Sequence, residues 1–387
     1  MGADNLIYFD NAATTKVDPE VLKTYTNVCE TTYANASSVH FEGQKANRLL
    51  DKSRELILKS FGLNNSHQVI FTSGATEGNN LAIKGYALRY KNRGNHIIVS
   101  SIEHASVLET VRQLNKEFGF EVTYLPVDEH GTINIEQLIN SITDKTILVS
   151  IMAVNNEIGV INDIENIAKL LKSYPKIAFH VDATQAIGKV NLKYDDVDLF
   201  TYSGHKIHGL KGTGALIKKK NLELLPINSG GGQEDNFRSG TNDVAGCVSL
   251  GKATSLAIQN FSKNITKITA ISIYINEYLE KNTDLYIINS TRENPSIINF
   301  SLLNKKASVV VEGLSNKNIM VSSISACHSR KEAYSHVVEA MRHDERLSHN
   351  TIRISIDHTN TIEEAKILIK ELDELVRGIK QWLLMIK

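Results

Sequence analysis

Residues 198–214, with the sequence DLFTYSGHKIHGLKGTG, are the stretch that best indicates the fold, and strands and helices are predicted on both sides of it. The first five positions are mostly apolar and predict a short strand. The strand ends near Ser203, and His205 and Lys206 follow before a glycine-punctuated turn. A lysine held where a strand ends can be desolvated and partly neutral, and a neutral amine condenses with a carbonyl to form a Schiff base. Taken alone, the motif is more typical of a surface turn with a solvated lysine.

Short apolar strands alternate with helices on both sides of this stretch. The predicted strands are residues 69–72, 96–100, 121–125, 146–152, 177–181, 199–202 and 214–217. Predicted helices separate most of them, at residues 77–90, 104–118, 135–141 and 164–173. Because the strands are apolar almost throughout, both of their faces must be covered. The pattern predicts an α/β fold with a mostly parallel sheet.

The pattern changes after Cys247. A single long helix is predicted at residues 253–280, and the later segments are shorter. The predicted strands are residues 285–288, 296–301, 319–321 and 352–356, and the predicted helices are residues 308–314 and 361–380. This mixture predicts a second, smaller α+β domain.

Composition and charge exclude several classes of protein. Lys plus Arg and Asp plus Glu both number 43 in 387 residues, so no net charge directs the chain to nucleic acid or a membrane surface. The first residues lack the basic and apolar regions of a signal peptide, and no apolar run is long enough to span a bilayer. The 3 cysteines are too widely spaced for a disulfide framework or a zinc pattern. We expect a cytoplasmic protein that contacts neither nucleic acid nor a membrane.

Three segments at the ends of predicted strands carry groups that could bind a ligand. Residues 71–77 pass from a strand through Gly74 into a helix, whose first N–H groups could bind an anion or have an ordinary cap. Asp182 ends a strand, where a buried carboxylate needs a cationic partner, unless it caps a helix. His104 follows another strand and could stack on a flat ring or move protons, although a structural role is more common.

Three further residues have surroundings that suit chemistry. Asn155 follows a strand and either offers amide donors at the same sheet edge or belongs to a plain polar loop. Arg353 interrupts an apolar strand and needs a substrate carboxylate or an internal acid. Cys327 lies beside basic residues that would favour its thiolate, whereas Cys29 and Cys247 lie in predicted helices and are expected to be packing residues. The histidines after Cys327 match no ligand spacing, so no metal site is expected.

Together these groups meet the requirements of pyridoxal 5'-phosphate, which needs phosphate donors, a carboxylate for its pyridinium, a stacking ring and a Schiff-base lysine. Across nearly the whole chain, the sequence resembles the NifS/IscS-type cysteine desulfurases, in the class V aminotransferase group of fold-type I pyridoxal-phosphate enzymes. The resemblance lies in ordered motifs at residues 8–15, 72–77, 155–159, 180–185, 203–206, 238–241 and 325–327. It implies a large cofactor-binding domain of residues 15–255 and a small domain of residues 1–14 and 256–387, which carries the loop with the catalytic cysteine.

The resemblance also implies a role for each site residue. Lys206 would carry the cofactor, Cys327 would be the nucleophile, and His104 would stack on the ring and be available for proton transfer. Asp182 would pair with the pyridinium nitrogen, and Gln185 would contact the ring hydroxyl. The groups implied to bind the phosphate are those of Ala75, Thr76, Ser203, His205 and the partner subunit's Thr241. Asn155 would also contact the cofactor. The substrate would be bound by Asn35, Asn155 and Arg353.

The implied activity converts L-cysteine to L-alanine and leaves the sulfur on Cys327 as a persulfide. A homodimer would deliver that sulfur to an acceptor protein for iron–sulfur cluster assembly or tRNA thiolation. Two other functions stay open: a selenocysteine lyase or related pyridoxal-phosphate lyase or aminotransferase, and a non-catalytic sulfur carrier or scaffold partner. Plain transamination needs no such cysteine, and a non-catalytic protein needs neither Lys206 nor Asp182.

Several positions depart from the family pattern. Ile324 replaces the usual Gly before Ser-Ala-Cys, and Ala34 and Ala36 replace the usual Gly and Pro around Asn35. His208 replaces the common Tyr after the lysine, and Leu210 the common Pro. Residues 328–334 differ from the usual segment that follows the cysteine. Since that segment bears on the choice of acceptor, the destination of the sulfur is not identified.

Overall fold

The computed structural model describes residues 6–323 and 334–385, with side chains through residue 378. A seven-stranded sheet has the order β2-β8-β7-β6-β5-β3-β4. Its strands are β2 (His67–Thr72), β3 (His96–Ser100), β4 (Glu121–Leu125), β5 (Thr146–Ser150), β6 (Ala178–Asp182), β7 (Leu199–Ser203) and β8 (Gly214–Lys219). The pairs from β7 to β4 are parallel, and β8 is antiparallel to both of its neighbours. The predicted α/β fold with a mostly parallel sheet is confirmed.

Helices cover both faces of this sheet. They are α1 (Pro19–Thr31), α2 (Phe41–Phe61), α3 (Ala75–Arg89), α4 (Ala105–Phe118), α5 (Ile135–Asn140), α6 (Ile164–Leu171) and α7 (Val244–Gln259). Successive side chains of a strand point to opposite faces. In β3, Ile98 therefore packs into a core with residues of α1, α2 and α7, whereas Ile97 and Val99 pack into a second core with residues of α3 and α4. These two apolar layers hold the strand ends in place.

The later part of the chain forms a second, antiparallel sheet with the order β12-β13-β10-β9. The remaining strands are β1 (Ile7–Tyr8), β9 (Tyr286–Ile288), β10 (Ile297–Leu302), β11 (Ile319–Met320), β12 (Ser322–Ser323) and β13 (Thr351–Ser355). The remaining helices are α8 (Phe261–Glu280), α9 (Ala307–Ser315), α10 (His336–Arg342), α11 (Glu345–His349) and α12 (Ile362–Met385). The N-terminal β1 pairs with β11, and Phe9 is buried in the core of this part. The predicted boundary at residue 255 stays a prediction.

Two details of the sequence analysis are wrong. The single helix predicted at residues 253–280 is two helices, α7 and α8, because Asn260 has bridge-region angles (φ −91°, ψ 1°) that interrupt the helix. Cys29 lies in α1 as predicted, but it is exposed and is not a packing residue. It follows the buried Val28, and adjacent residues of a helix point about 100° apart. Cys247 is buried in α7, and burial raises the pKa of its thiol.

A helix that crosses a bilayer needs about 20 consecutive, mostly apolar residues. Within residues 6–323 and 334–385, no helix is suited to cross a membrane.

Candidate active site

The carboxyl ends of the parallel strands meet at one edge of the sheet, where open α/β sheets bind ligands. Lys206 lies in a short 3₁₀ helix directly after β7, and α3 begins directly after β2. Gly214 permits a close approach of these two turns, because a Cβ atom there would lie 2.5 Å from the Cα atom of Gly74. The glycines therefore bring the lysine turn and the start of α3 together.

The N-terminal arm holds the Lys206 side chain. Its Nζ donates to the carbonyl oxygens of Ala12, at 2.6 Å, and Ala13, at 2.7 Å. Gln185 Nε2 donates to the same Ala12 oxygen at 2.9 Å. Sequence reasoning missed the role of Ala12 and Ala13, because backbone carbonyls leave no signal in the residue types. The arm thus connects two residues that were predicted to contact one cofactor.

Asp182 is a buried carboxylate whose hydrogen bonds all come from neutral groups. Its Oδ2 accepts from Asn79 Nδ2 at 2.8 Å, and its Oδ1 accepts from the Thr184 N–H at 3.0 Å. In the part of the chain that the structure describes, no cation pairs with it, and the residue is 4% exposed. A buried anion without a cation is costly. The site therefore suits a ligand that brings a positive charge.

His104 is connected to Asp182 through two side chains. Its Nδ1 accepts from the Ser106 N–H at 3.1 Å and lies 2.8 Å from Ser106 Oγ. Since Asn79 Nδ2 donates to Ser106 Oγ at 2.8 Å, the serine hydroxyl is free to donate to His104. Burial lowers the pKa of His104, which favours the neutral ring. Because Nδ1 accepts from Ser106, the neutral ring carries its proton on Nε2.

Asn79 is a central residue of this network that the sequence analysis did not identify. Besides its bonds to Ser106 and Asp182, its Oδ1 accepts from Thr201 Oγ1. It lies on the buried face of α3, together with Ala75 and Gly78. A polar residue within that otherwise small and apolar set is the signal that could have identified it.

The start of α3 offers donors to an anion. Gly74 precedes the helix and makes no side-chain cap, and the Ala75 N–H donates to Ser203 Oγ at 2.8 Å. Thr76 is exposed in the first turn. His205 lies beside this turn with its Nδ1 3.1 Å from Thr14 Oγ1. Burial, and then the charge of Lys206, lower the pKa of His205 to about 4, so its ring is neutral.

A salt bridge connects the start of α3 to the loop that carries Thr241. Glu77 Oε1 pairs with Arg238 Nε at 2.8 Å, and the other carboxylate oxygen accepts from the Ser73 N–H at 2.6 Å. Thr241 itself is exposed on this loop. Its predicted contact with the cofactor of a partner subunit stays a prediction.

Arg353 has an internal acid as its partner, which was one of the two alternatives. Its Nη2 lies 3.0 Å from Asp10 Oδ1, and its Nη1 donates to the Asn156 carbonyl at 2.8 Å. Its buried Nε has no partner among the described residues. Asp10 thus holds the guanidinium, and contact with a substrate carboxylate stays a prediction.

Two other predicted residues make only structural contacts in the described part of the chain. The buried Asn155 amide donates to the Ile102 carbonyl at 2.9 Å and accepts from the N–H groups of Glu157 and Ile158. The exposed Asn35 accepts from the Ser37 N–H at 2.9 Å. Their roles toward cofactor and substrate stay predictions.

Cys327 lies outside the described residues, but the residues on either side of that segment lie beside the candidate site. Ser322 of β12 pairs in register with Arg353 of β13. At the other end, Ser335 Oγ donates to the Glu157 carboxylate, and His336 Nε2 lies 3.2 Å from the Glu103 carbonyl, next to His104. Residue 322 is thus held beside Arg353 in the second sheet, and residues 335 and 336 are held beside Glu157 and Glu103.

A cluster of His208, Asp357 and His358 was not predicted. His208 Nε2 lies 2.8 Å from Asp357 Oδ2, and His358 Nδ1 lies 3.0 Å from Asp357 Oδ1. The other nitrogen of His208 faces the Lys16 carbonyl at 2.8 Å, so both ring nitrogens face acceptors and the ring is an imidazolium. Burial opposes this charge, but the hydrogen bond and charge of Asp357 outweigh it and raise the pKa of His208.

Known proteins match this chain over nearly its full length. The family model described as aminotransferase class-V matches residues 7–368. A NifS/IcsS protein homolog from Lactobacillus delbrueckii subsp. bulgaricus is 40% identical over 96% of this chain and 97% of its own length. Cysteine desulfurase IscS from Dictyoglomus turgidum is 38% identical over 97% of this chain and 95% of its own length.

Solved structures of similar proteins also match this chain over most of its length. A NifS-like protein superimposes with a TM-score of 0.89 at 34% identity, covering 96% of this chain and 100% of that one. SspA in complex with cysteine gives a TM-score of 0.77 at 34% identity, covering 90% of this chain and 98% of that one. The fold, the order of the motifs and these matches confirm the resemblance found in the sequence. The chain therefore belongs to the class-V aminotransferase family, among its NifS/IscS-type cysteine desulfurases.

Proposed function

We propose that this protein binds pyridoxal 5'-phosphate at the edge of its large sheet and uses it to take sulfur from L-cysteine. The observation that carries the proposal is the buried Asp182 carboxylate, which among the described residues accepts hydrogen bonds from neutral groups alone. A protonated pyridine nitrogen would supply the missing positive charge. The relative from Dictyoglomus turgidum is named cysteine desulfurase IscS, and SspA was solved in complex with cysteine.

The residues present fit the other parts of this cofactor. The start of α3 has no side-chain cap and, with Ser203 and His205 nearby, suits a phosphate group. Lys206 follows β7 at the same edge and would hold the cofactor covalently through Nζ. When bound, pyridoxal 5'-phosphate withdraws electrons from the α-carbon of an amino-acid substrate.

The side chains of this protein would then each have one task. Asp182 would keep the ring nitrogen protonated, because the carboxylate stabilises that positive charge in a site shielded from water. His104, neutral and with its proton on Nε2, would stack on the ring and be available for proton transfer. Arg353 would bind the substrate carboxylate through N–H groups that its contacts with Asp10 and Asn156 do not use.

Cys327 would take the sulfur. Its thiolate would attack the substrate sulfur, so that an S–S bond forms as the substrate C–S bond breaks. The carbon keeps the electron pair of the broken bond and takes up a proton, which yields L-alanine and a persulfide on Cys327. The neighbouring His328, Arg330 and Lys331 in the sequence favour the thiolate by their charge.

The site would be completed by a second copy of the chain, whose Thr241 would reach the phosphate. The persulfide would then pass to an acceptor protein, for iron–sulfur cluster assembly or tRNA thiolation. The IscS names of the relatives support this class of acceptor.

The direct test compares wild type, Cys327→Ala and Cys29→Ala after loading with cofactor. We expect the wild type to be yellow, to lose that colour on borohydride treatment, and to release alanine from L-cysteine. Cys327→Ala should keep the colour and lose alanine and sulfide production. Cys29→Ala is the matched control, since it removes an exposed cysteine from a helix, and it should stay active. A fully active Cys327→Ala variant would contradict the persulfide step.

A further inference from the structure

Lys189 is a buried lysine that the steps above do not use. It is 9% exposed, and its Nζ donates to Gln185 Oε1 at 2.7 Å. The charged groups that act on it are Lys206 and Arg353, which are positive, and Asp357, which is negative. Burial is the largest of these influences and lowers the pKa of Lys189 to about 7. A buried amine of this kind is costly to keep unless it has a function or a structural contact that requires it.

The contact of Lys189 belongs to a continuous hydrogen-bonded path that leads to Lys206. Gln185 accepts from Lys189 at one end of its amide and donates to the Ala12 carbonyl, at 2.9 Å, from the other. The same carbonyl accepts from Lys206 Nζ at 2.6 Å. The path therefore joins the buried lysine to the lysine that would carry the cofactor.

The two partners of Gln185 determine which way its amide faces. A carbonyl oxygen only accepts, so the Ala12 side of the amide must be the NH₂ group. Lys189 donates from the opposite side, so the amide oxygen must face it. A flipped amide would place two oxygens 2.9 Å apart at Ala12 and would lose the bond to Lys189. The NH₂ group has two hydrogens, and Ala12 takes one of them.

We propose that Lys189 is a positioning residue that fixes the Gln185 amide, so that its second N–H, and not its oxygen, faces the hydroxyl oxygen of the pyridine ring. This inference rests on the proposed function. A donor at that oxygen stabilises its anionic form. Lys189 thereby sets the protonation of the cofactor through Gln185, without touching the cofactor itself.

The inference is tested by the visible absorbance of the cofactor-loaded protein as a function of pH, together with the dissociation constant of the cofactor. Lys189→Met should raise the pH midpoint of the absorbance change by about one unit, because the ring oxygen loses its fixed donor. It should also weaken cofactor binding by about tenfold, which is the loss expected for one hydrogen bond in a buried site. Lys193→Met is the matched control, since it removes an exposed lysine nearby and should match the wild type.

Two further variants separate the position of the amide from the charge of the lysine. Lys189→Gln keeps a neutral donor and should keep the midpoint close to that of the wild type, which also provides a test if Lys189→Met does not fold. In a Gln185→Met background, Lys189→Met should cause no further shift, because the amide that it positions is absent. A shift of equal size in both backgrounds would overturn the inference in favour of a simple charge effect.

The failure of this inference can be distinguished from the failure of the proposed function. A wild type that takes up no pyridoxal 5'-phosphate would contradict the proposed function, and the inference would fall with it. A wild type that binds the cofactor, with Lys189→Met and Lys193→Met giving the same midpoint and dissociation constant, would overturn the inference alone.

Discussion

Two buried aspartates, Asp182 and Asp357, have opposite electrostatic surroundings. Asp182 is 4% exposed, and in residues 6–323 and 334–378 its hydrogen-bond donors are an amide and a backbone N–H. Asp357 is 7% exposed and lies between two histidines, at 2.8 and 3.0 Å. Burial alone would raise the pKa of Asp357, but its bonds to His208 and His358 outweigh burial and lower it. The two histidines thus balance the negative charge of Asp357, whereas no cation among the described residues pairs with Asp182.

This difference indicates that Asp357 stabilises the fold, whereas Asp182 is suited to bind a ligand. Asp357 follows β13 and His208 follows the lysine turn, so their ion pair connects the two sheets. Asp182 is held by donors that orient it without neutralising it, and a cationic ligand would complete its surroundings. Substitutions at the two positions should therefore affect different properties of the protein.

The largest effect is expected for Asp182→Asn. The amide preserves the shape of the side chain but cannot stabilise a protonated ring nitrogen. We expect kcat/KM for alanine formation to fall on the order of a hundred-fold or more, as for loss of a key electrostatic contact in an active site. Steady-state kinetics measures the change, and circular dichroism should show an intact fold. Wild-type activity in this variant would show that Asp182 is only a structural residue.

Asp357→Asn should have the opposite signature. It leaves the His208 imidazolium without its counter-ion, so the free energy of unfolding should fall by about 3 kcal/mol. Urea denaturation measures that loss, and kcat/KM for alanine formation should change much less than in Asp182→Asn. A large fall in kcat/KM with unchanged stability in Asp357→Asn would contradict a stabilising role for Asp357.

The contribution of His208 to stability should depend on pH. Its pKa in the folded protein is raised above the ordinary value of 6.5, so its contribution is fully present below that pH and is lost as pH rises through the folded-state pKa. The difference in unfolding free energy between wild type and His208→Gln should therefore be larger at about pH 6 than at about pH 9. Denaturation at the two pH values checks this, and an unchanged difference would contradict an imidazolium at this position.

The smallest effect is expected for an ion pair on the surface. Lys145 Nζ lies 3.3 Å from Glu121 Oε1, and the two side chains are 55% and 59% exposed. Water screens this pair, so Lys145→Ala should change the free energy of unfolding by only about 0.5 kcal/mol or less. Urea denaturation beside Asp357→Asn would show how much of the effect at Asp357 depends on burial. Equal losses of unfolding free energy in Lys145→Ala and Asp357→Asn would contradict the expected difference between an exposed and a buried ion pair.

Local sequence patterns were sufficient for the fold and for placing several candidate residues at strand ends. Apolar strands and glycine turns are encoded by neighbouring residues, so Asp182, His104 and Lys206 could be placed at strand ends before the structure was known. The break at Asn260 could not, because the apolar spacing continues on both sides of it.

The contacts between distant residues could not be predicted in this way. The path from Lys189 to Lys206 depends on the Ala12 carbonyl, whose chemistry is the same in every residue. The pairing of His208 with Asp357 joins positions from different sheets, and no local spacing relates them. Asn79 was missed because an Asn within a helix is usually assigned to the surface.

The N-terminal arm that holds Lys206 also determines when the site can first exist during protein synthesis. The Ser355 N–H donates to the Phe9 carbonyl at 2.7 Å, and Ile7 pairs in register with Ile319. A chain growing on the ribosome could therefore fold its large sheet long before it has the partners that place Ala12 and Ala13. Lys206 would therefore gain its final surroundings only after residue 355 has been synthesised.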